Sequence, residues 1–201
     1  MKLIKVTVTG GPSGGKTTLI EALQKGMGKT VSVVPESATI LYRGGFPRIK
    51  SHNGRIHAQK AIYYTQKELE DLISMEQPTK LLVCDRGSMD ALAYWPETPQ
   101  SFFKVINSTP EKEYSRYDWV LHLDTASAEH YDSTNPVRTE SYSEAQSLNQ
   151  RILDAWGMHP QRVRIGEKKD FLAKMAAAYG VIQAILKGED LQIIRKNFEL
   201  I

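Results

Sequence analysis

Eight residues near the start of the chain hold its clearest chemistry. Gly10-Gly11-Pro12-Ser13-Gly14-Gly15-Lys16-Thr17 reads G-x-x-x-x-G-K-[ST], the spacing of a phosphate-binding P-loop. Glycines allow successive backbone N–H groups to turn inward around a polyphosphate. A helix opening directly after the loop adds further N–H donors and the positive end of its dipole. This reading assigns Gly11, Ser13, Gly14 and Gly15 to a nucleotide cradle. Lys16 would reach the β/γ-phosphates and the Thr17 hydroxyl would ligate Mg²⁺. The bland alternative is a glycine-rich turn without a ligand. The flanks argue against it, because the apolar run Leu3-Ile4-Lys5-Val6-Thr7-Val8-Thr9 leads in and a helical run from Thr17 to Lys25 leads out.

Two acidic positions follow strand-like runs. Leu81-Leu82-Val83-Cys84-Asp85-Arg86-Gly87 is apolar until Asp85, and an acid at such a strand end can order Mg²⁺ or its water shell beside a P-loop. Strands also end in Asp for turn reasons alone. Arg86 carries a rigid fork of donors suited to a phosphoryl group; its plain alternative is an ion pair. Asp90 could cap a following helix or face a substrate. Val31-Ser32-Val33-Val34 is stopped by Pro35, and Glu36 follows. In open α/β sheets ligands lie outside the carboxyl ends of strands, so Glu36, Asp85 and the P-loop should share one edge. There Glu36 could take a proton from an attacking hydroxyl or bind Mg²⁺ through water. Otherwise it is a first-turn helix acid, favourable by up to about 1 kcal/mol.

Residues 37–67 contain no Asp or Glu but hold Arg43, Arg48, Lys50, Arg55, Lys60 and Lys67, so this stretch carries +6 in a chain of net charge +3. The segment suits an anionic acceptor, with Arg43, Arg48 and Arg55 as its ligands, or an anionic lipid surface. A solvated basic face is the alternative. Only Tyr42, Phe46, Tyr63 and Tyr64 interleave with these charges, and the net charge is small, which argues against a nucleic-acid partner. The polar run over 124–147 suits a flap that excludes water and brings an arginine to developing phosphoryl charge, Arg138 first and Arg151 second.

Strand runs alternate with helical ones, the pattern of a parallel sheet covered on both faces. Further strands are expected at Trp119 to Asp124 and Arg162 to Ile165. Apolar stripes at Ala58, Ala61, Ile62, Thr65, Leu69, Leu72 and Ile73, and at Phe171, Leu172, Met175, Ala178, Tyr179, Ile182, Ile185 and Leu186, read as helix core faces. Gly188 should end the last long helix, with the tail beyond it docked or frayed. The 201 residues, 41% hydrophobic and 24% charged, are expected to form one domain, 1–201. A lone cysteine, Cys84, excludes an internal disulfide and fits a reducing cytoplasm. No apolar stretch is long enough to span a bilayer and no secretory signal is apparent.

Taken together, Thr9-Gly10-Gly11-Pro12-Ser13-Gly14-Gly15-Lys16-Thr17-Thr18, Val34-Pro35-Glu36 and Cys84-Asp85-Arg86-Gly87-Ser88-Met89-Asp90-Ala91-Leu92-Ala93-Tyr94 resemble a family of small P-loop proteins described as AAA-type ATPases. That family sits near the nicotinamide riboside kinase domain and the nucleoside and thymidylate kinases. Val137-Arg138-Thr139-Glu140 with Ala155-Trp156-Gly157-Met158-His159-Pro160 is similar to the lid and following helix of that group. The resemblance implies a three-layer α/β fold of the nucleoside-monophosphate-kinase type, its five-stranded parallel sheet in the order 2-3-1-4-5. It also implies ATP with Mg²⁺ at Lys16, Thr17 and Thr18, and an acceptor site built on Glu36, Asp85 and Arg86. Cys84-Asp85-Arg86 stands where mechanical ATPases carry a paired Asp-Glu, so mechanical work is not expected. No Asn-Lys-x-Asp segment reads guanine, which favours ATP over GTP. The expected function is a Mg-ATP-dependent kinase acting on a small hydroxyl or phosphate acceptor, nucleoside- or nucleotide-like. The rivals are a nucleotide-dependent switch that binds a protein or an anionic lipid, and a nucleic-acid end kinase.

Overall fold

The computed structural model describes residues 3–77, 79–128 and 141–200. Five short runs rich in β-branched residues form β1 (Ile4–Thr9), β2 (Val31–Val34), β3 (Leu81–Asp85), β4 (Trp119–Leu123) and β5 (Arg162–Ile165). They pair in one all-parallel sheet of order β2-β3-β1-β4-β5. Parallel neighbours require long crossovers, and helices supply them. These are α1 (Lys16–Met27), α2 (Ser37–Arg43), α3 (His52–Glu76), α4 (Asp90–Ala93), α5 (Pro99–Ile106), α6 (Pro110–Tyr114), α7 (Tyr142–Ala155), α8 (Phe171–Lys187) and α9 (Leu191–Asn197).

Local signals set the helix ends. Ser51 accepts from Gly54 N at the start of α3, a Ser141/Glu144 capping box opens α7, and Asp170 and Asp190 cap α8 and α9. Gly188, at φ 79°, closes α8 as expected.

Strand alternation divides the core in two. Val6 and Val8, Leu81 and Val83, Leu121 and Leu123, and Val163 and Ile165 face α1, α8 and α9. Leu82, Cys84, Val120 and Val34 face the opposite layer, packed with Met89, Ala93, Leu148, Ile152 and Trp156. Both faces are therefore covered, which accounts for the unbroken apolar run of β3. A third cluster joins Tyr63 of α3 to Trp95, Phe102 and Ile106. No described helix is long and apolar enough to cross a membrane.

Two expected core stripes need correction. On α3, Leu72 is 52% exposed, while the buried face carries Ala58, Gln59, Tyr63, Gln66 and Glu70. That face is polar because Glu70, fully buried, accepts from Tyr117 Oη at 2.6 Å, Arg116 Nη2 at 2.9 Å and Lys5 Nζ at 3.3 Å. On α8, Phe171 and Leu172 are exposed, and the core stripe begins further along the helix.

The tail docks. Ile194 on α9 is fully buried in the α1/α8 layer, whereas its neighbour Ile193 is half exposed. Ile194→Ala should cost about 3 kcal/mol through the cavity it leaves. Ile193→Ala should stay within about 0.5 kcal/mol. Urea denaturation of the two variants checks the contrast, and equal costs would show that the tail does not contribute to the core.

Candidate active site

The register brings the chemistry to one edge. Val8 lies beside Asp85, Thr9 beside His122 and Val34 beside Cys84. The P-loop, Glu36, Arg86 and Asp124 therefore leave the sheet together at its carboxyl end. The loop leaves β1 through Gly10, whose φ of 126° and an added Cβ only 1.9 Å from Leu123 O exclude any side chain. Ser13 also adopts a positive φ, 61°, and its buried Oγ has no partner. Lys16 opens α1 and folds back on the loop, its Nζ donating to Gly10 O at 2.9 Å and Gly11 O at 2.7 Å. Thr17 and Thr18 stand exposed on the first turn.

Arg86 is the second unusual backbone position. Its φ is 68°, a left-handed conformation costly for a side-chain-bearing residue. Two bonds hold it there: Arg86 N donates to Val8 O at 3.0 Å, and Gln66 Nε2 donates to Arg86 O at 3.1 Å. The turn sends the guanidinium back over the P-loop. Nε donates to Glu36 Oε1 at 2.6 Å, and Nη1 donates to Asp90 Oδ1 at 3.1 Å and to Gly10 O at 3.4 Å. Thr39 Oγ1 donates to the other oxygen of Glu36. Asp90 is more than a helix-opening acid. It also accepts from Thr9 Oγ1 at 2.5 Å, from Gly87 N at 3.1 Å and from Trp156 Nε1 at 3.1 Å.

Packing these charges together perturbs them. Burial, reinforced by Arg86, lowers Lys16 to about 7. Burial raises Asp85 to about 6, with Glu36 and Asp90 adding to the effect and Arg86 and Lys16 opposing it. Burial also works to raise Glu36, but Arg86 and Thr39 outweigh it and hold the carboxylate below its ordinary value. Glu36 is thus ionised at neutral pH.

Two hollows flank the loop. The larger, about 380 Å³, meets it at Pro12 and is lined by Glu36, Thr39, Tyr42, Arg48, Gln59, Tyr63, Gln66, Arg86, Asp90 and Tyr94. The smaller, about 50 Å³, meets it at Ser13 between Thr125, Ser127, Lys168, Phe171 and Lys174. Phe171 is exposed because it borders this hollow, beside Gly15. Of the three arginines assigned to an acceptor, Arg48 lines the larger hollow, its guanidinium 4.1 Å from the centre of the Tyr42 ring. Arg43 and Arg55 are exposed and outside that lining. Arg151 is exposed on α7, and Arg138 lies outside the described residues.

The sequence reading missed Gln59 and Gln66, both nearly buried at the larger hollow, and the buried Asn149 of α7. The spacing of Gln59, Tyr63, Gln66 and Glu70 is a polar stripe at helical period, a signal that could have found the first two.

The residues present fit a magnesium nucleotide. Mg²⁺ takes oxygen donors, commonly one or two carboxylates together with substrate phosphates. Thr17 is exposed at the loop, and the Asp85 carboxylate accepts no hydrogen bond from a described side chain. Among the described residues no three His, Cys, Asp or Glu converge to hold a metal unaided.

Comparison with known proteins agrees with this geometry. A family model described as an AAA domain matches residues 5–173. No curated protein matches the chain. Among solved structures, thymidylate kinase from Ehrlichia chaffeensis superposes with a TM-score of 0.63 at 13% identity, covering 92% of this chain and 100% of that one. Deoxyadenosine kinase from M. mycoides gives 0.58 at 12% identity, covering 92% and 100%. Thymidylate kinase from Candida albicans gives 0.58 at 15% identity, covering 100% and 95%. At such identities these likenesses show the fold. The chain belongs to the AAA domain family, and its α/β sheet is that of a small P-loop, kinase-like protein.

Proposed function

We propose that this protein is a Mg-ATP-dependent small-molecule kinase whose acceptor is a hydroxyl group on a nucleoside-like molecule. The observation that carries the reading is the Glu36–Arg86 pair at 2.6 Å, set between the P-loop and the larger hollow. It places a carboxylate and a guanidinium side by side where an acceptor would meet the terminal phosphate.

Charge favours a hydroxyl over a phosphate acceptor. The cations lining the hollow are Arg48 and Arg86, and Arg86 is already committed to Glu36 and Asp90. A phosphate entering there would face both carboxylates with only Arg48 left to meet it. The walls suit a neutral, flat molecule instead: three tyrosines, Tyr42, Tyr63 and Tyr94, and two amides, Gln59 and Gln66. Gln66 Oε1 is buried without a partner. The structural relatives include two kinases named for a nucleotide and one named for a nucleoside; the charge balance sides with the last.

In the reaction, Glu36 accepts the proton of the acceptor hydroxyl as its oxygen bonds to the γ-phosphorus. The bond between that phosphorus and the β,γ-bridging oxygen breaks, and ADP leaves with the electron pair. Both Glu36 oxygens are already bonded in the structure, yet a carboxylate offers about four lone-pair sites, so one more donor can be taken. Lys16 spreads the charge on the transferring oxygens, while Arg86 holds the Glu36 carboxylate in place. Thr17 and Asp85 would hold Mg²⁺, which supplies electrostatic stabilisation of the phosphates when bound. Its charge would also offset the carboxylates there, since Lys16 and Arg86 stand among Glu36, Asp85 and Asp90.

Screening nucleosides for acceptor-stimulated ADP release tests the reading; nucleotide binding with no acceptor-stimulated turnover would favour a switch instead. Lys16→Ala should abolish turnover. Glu36→Gln should lower kcat by about 10²–10⁴ while changing ATP affinity little. Arg48→Ala should raise the acceptor KM and spare ATP.

Asp85 gives a pH prediction. Its folded value, about 6, lies above its ordinary 3.8, so ionising it costs stability as pH rises through that interval. Asp85→Asn should therefore melt higher than the parent at about pH 7.5, with the gap closing toward about pH 4. It should also gain less than the parent from Mg·ATP. A variant destabilised equally at both pH values would contradict the assignment.

A further inference from the structure

Asn149, in the middle of α7, reaches the P-loop from behind. It is 5% exposed, and its Oδ1 accepts from Gly11 N at 3.0 Å. Its Nδ2 donates to Asp124 Oδ1 at 3.1 Å, which fixes the orientation of the amide. His122 Nε2 donates to Asn149 Oδ1 at 3.0 Å and lies 3.3 Å from Asp124 Oδ1, while His122 Nδ1 is buried without a partner, so a proton sits on Nε2. The approach is close enough that an added Cβ on Gly11 would lie 2.8 Å from Asn149 Cβ and 2.1 Å from Thr125 Oγ1.

The consequence comes through one peptide plane. The N–H of Gly11 and the C=O of Gly10 belong to the same planar trans unit and point in opposite directions. On the far side, Gly10 O accepts from Lys16 Nζ at 2.9 Å and Arg86 Nη1 at 3.4 Å. We propose that Asn149 is a positioning residue for phosphoryl transfer: by holding the Gly11 N–H, it sets the tilt of the Gly10–Gly11 peptide and thereby the resting places of Lys16 and Arg86. Lys16 spends two of its three donors on Gly10 O and Gly11 O, so the direction left for a phosphate is set by where those carbonyls sit. The same helix touches the site again two turns later, where Trp156 donates to Asp90, the partner of Arg86.

This inference rests on the nucleotide-binding reading, and calorimetric titration of Mg·ATP separates the two. Asn149→Leu keeps the volume and removes the acceptor, and should weaken binding by about tenfold. Asn149→Asp restores an acceptor for the Gly11 N–H but places a carboxylate beside Asp124. It should bind Mg·ATP more tightly than Asn149→Leu whatever the melting temperatures of the two. If Asn149→Leu does not fold, Asn149→Ser, whose hydroxyl is too short to reach Gly11, replaces it with the same loss expected. Parent protein that binds while these variants match it, or variants that lose affinity only in step with melting temperature, would overturn the role of Asn149 alone. Parent protein that gives no heat at millimolar Mg·ATP would overturn the kinase reading and this inference together.

Discussion

The site depends on where one guanidinium is held. Arg86 sits in a left-handed turn directly after β3, with its side chain fixed by Glu36, Asp90 and Gly10 O. Each partner comes from a different element: Glu36 from the end of β2, Asp90 from α4 and Gly10 from the P-loop. The pairing therefore joins the P-loop to the wall of the larger hollow. Such a cluster is costly to bury, and removing one member of a buried ion pair typically costs about 3–5 kcal/mol, because the other is left uncompensated. The strain at Arg86 is tolerated because the surroundings over-determine it, from Val8 O on one side and Gln66 on the other.

Behind this cluster stands a second polar layer. Glu70 gathers Lys5, Arg116, Tyr117 and Gln66 around one buried carboxylate. Gln66 passes that order on to the Arg86 carbonyl, and Tyr117 passes it to Ser88 by accepting from its N–H at 2.7 Å. The larger hollow thus rests on a polar floor with fixed hydrogen-bond directions. An apolar floor would pack as well but would not dictate where the backbone at residues 86–88 must point.

Much of this was legible in the sequence. The strands 31–34, 81–85 and 162–165 fall where the sequence places them: the central β3 as an apolar run buried on both faces, the edge strand β5 as an alternation of arginine with buried Val163 and Ile165. Glu36, Asp85 and the P-loop fall on one edge because a parallel sheet sends every strand the same way. What was not legible has a common cause. Apolar periodicity marks the face of a helix that meets a core, but α3 meets a charged network, so its buried face is written in Gln, Tyr and Glu while Leu72 faces solvent. Asn149 escaped for a related reason: an asparagine inside an amphipathic helix looks like a surface residue until the partner, a backbone N–H more than a hundred residues away, is known.

The division of labour between backbone and side chain explains why the cradle reads so much more clearly than the acceptor. A triphosphate is gripped chiefly by main-chain N–H groups, so its binding demands a fixed backbone path, and only a few sequences permit that path; Gly10 shows this where a Cβ would collide with Leu123 O. The larger hollow is lined chiefly by side chains from and beside α2, α3 and α4, whose backbones are ordinary helices open to most residues. Selection for phosphate therefore leaves a motif, whereas selection for an acceptor leaves only a composition: here tyrosines, amides and one stacked arginine. The structure converts that composition into a wall. It also shows that little of the basic character of residues 37–67 carries into the pocket, because of its six cations only Arg48 lines it, and Arg86, the cation at its floor, is already paired with Glu36 and Asp90. Counting charges along a chain overstates what a bound molecule meets; what counts is which of those charges remain unpaired at its surface.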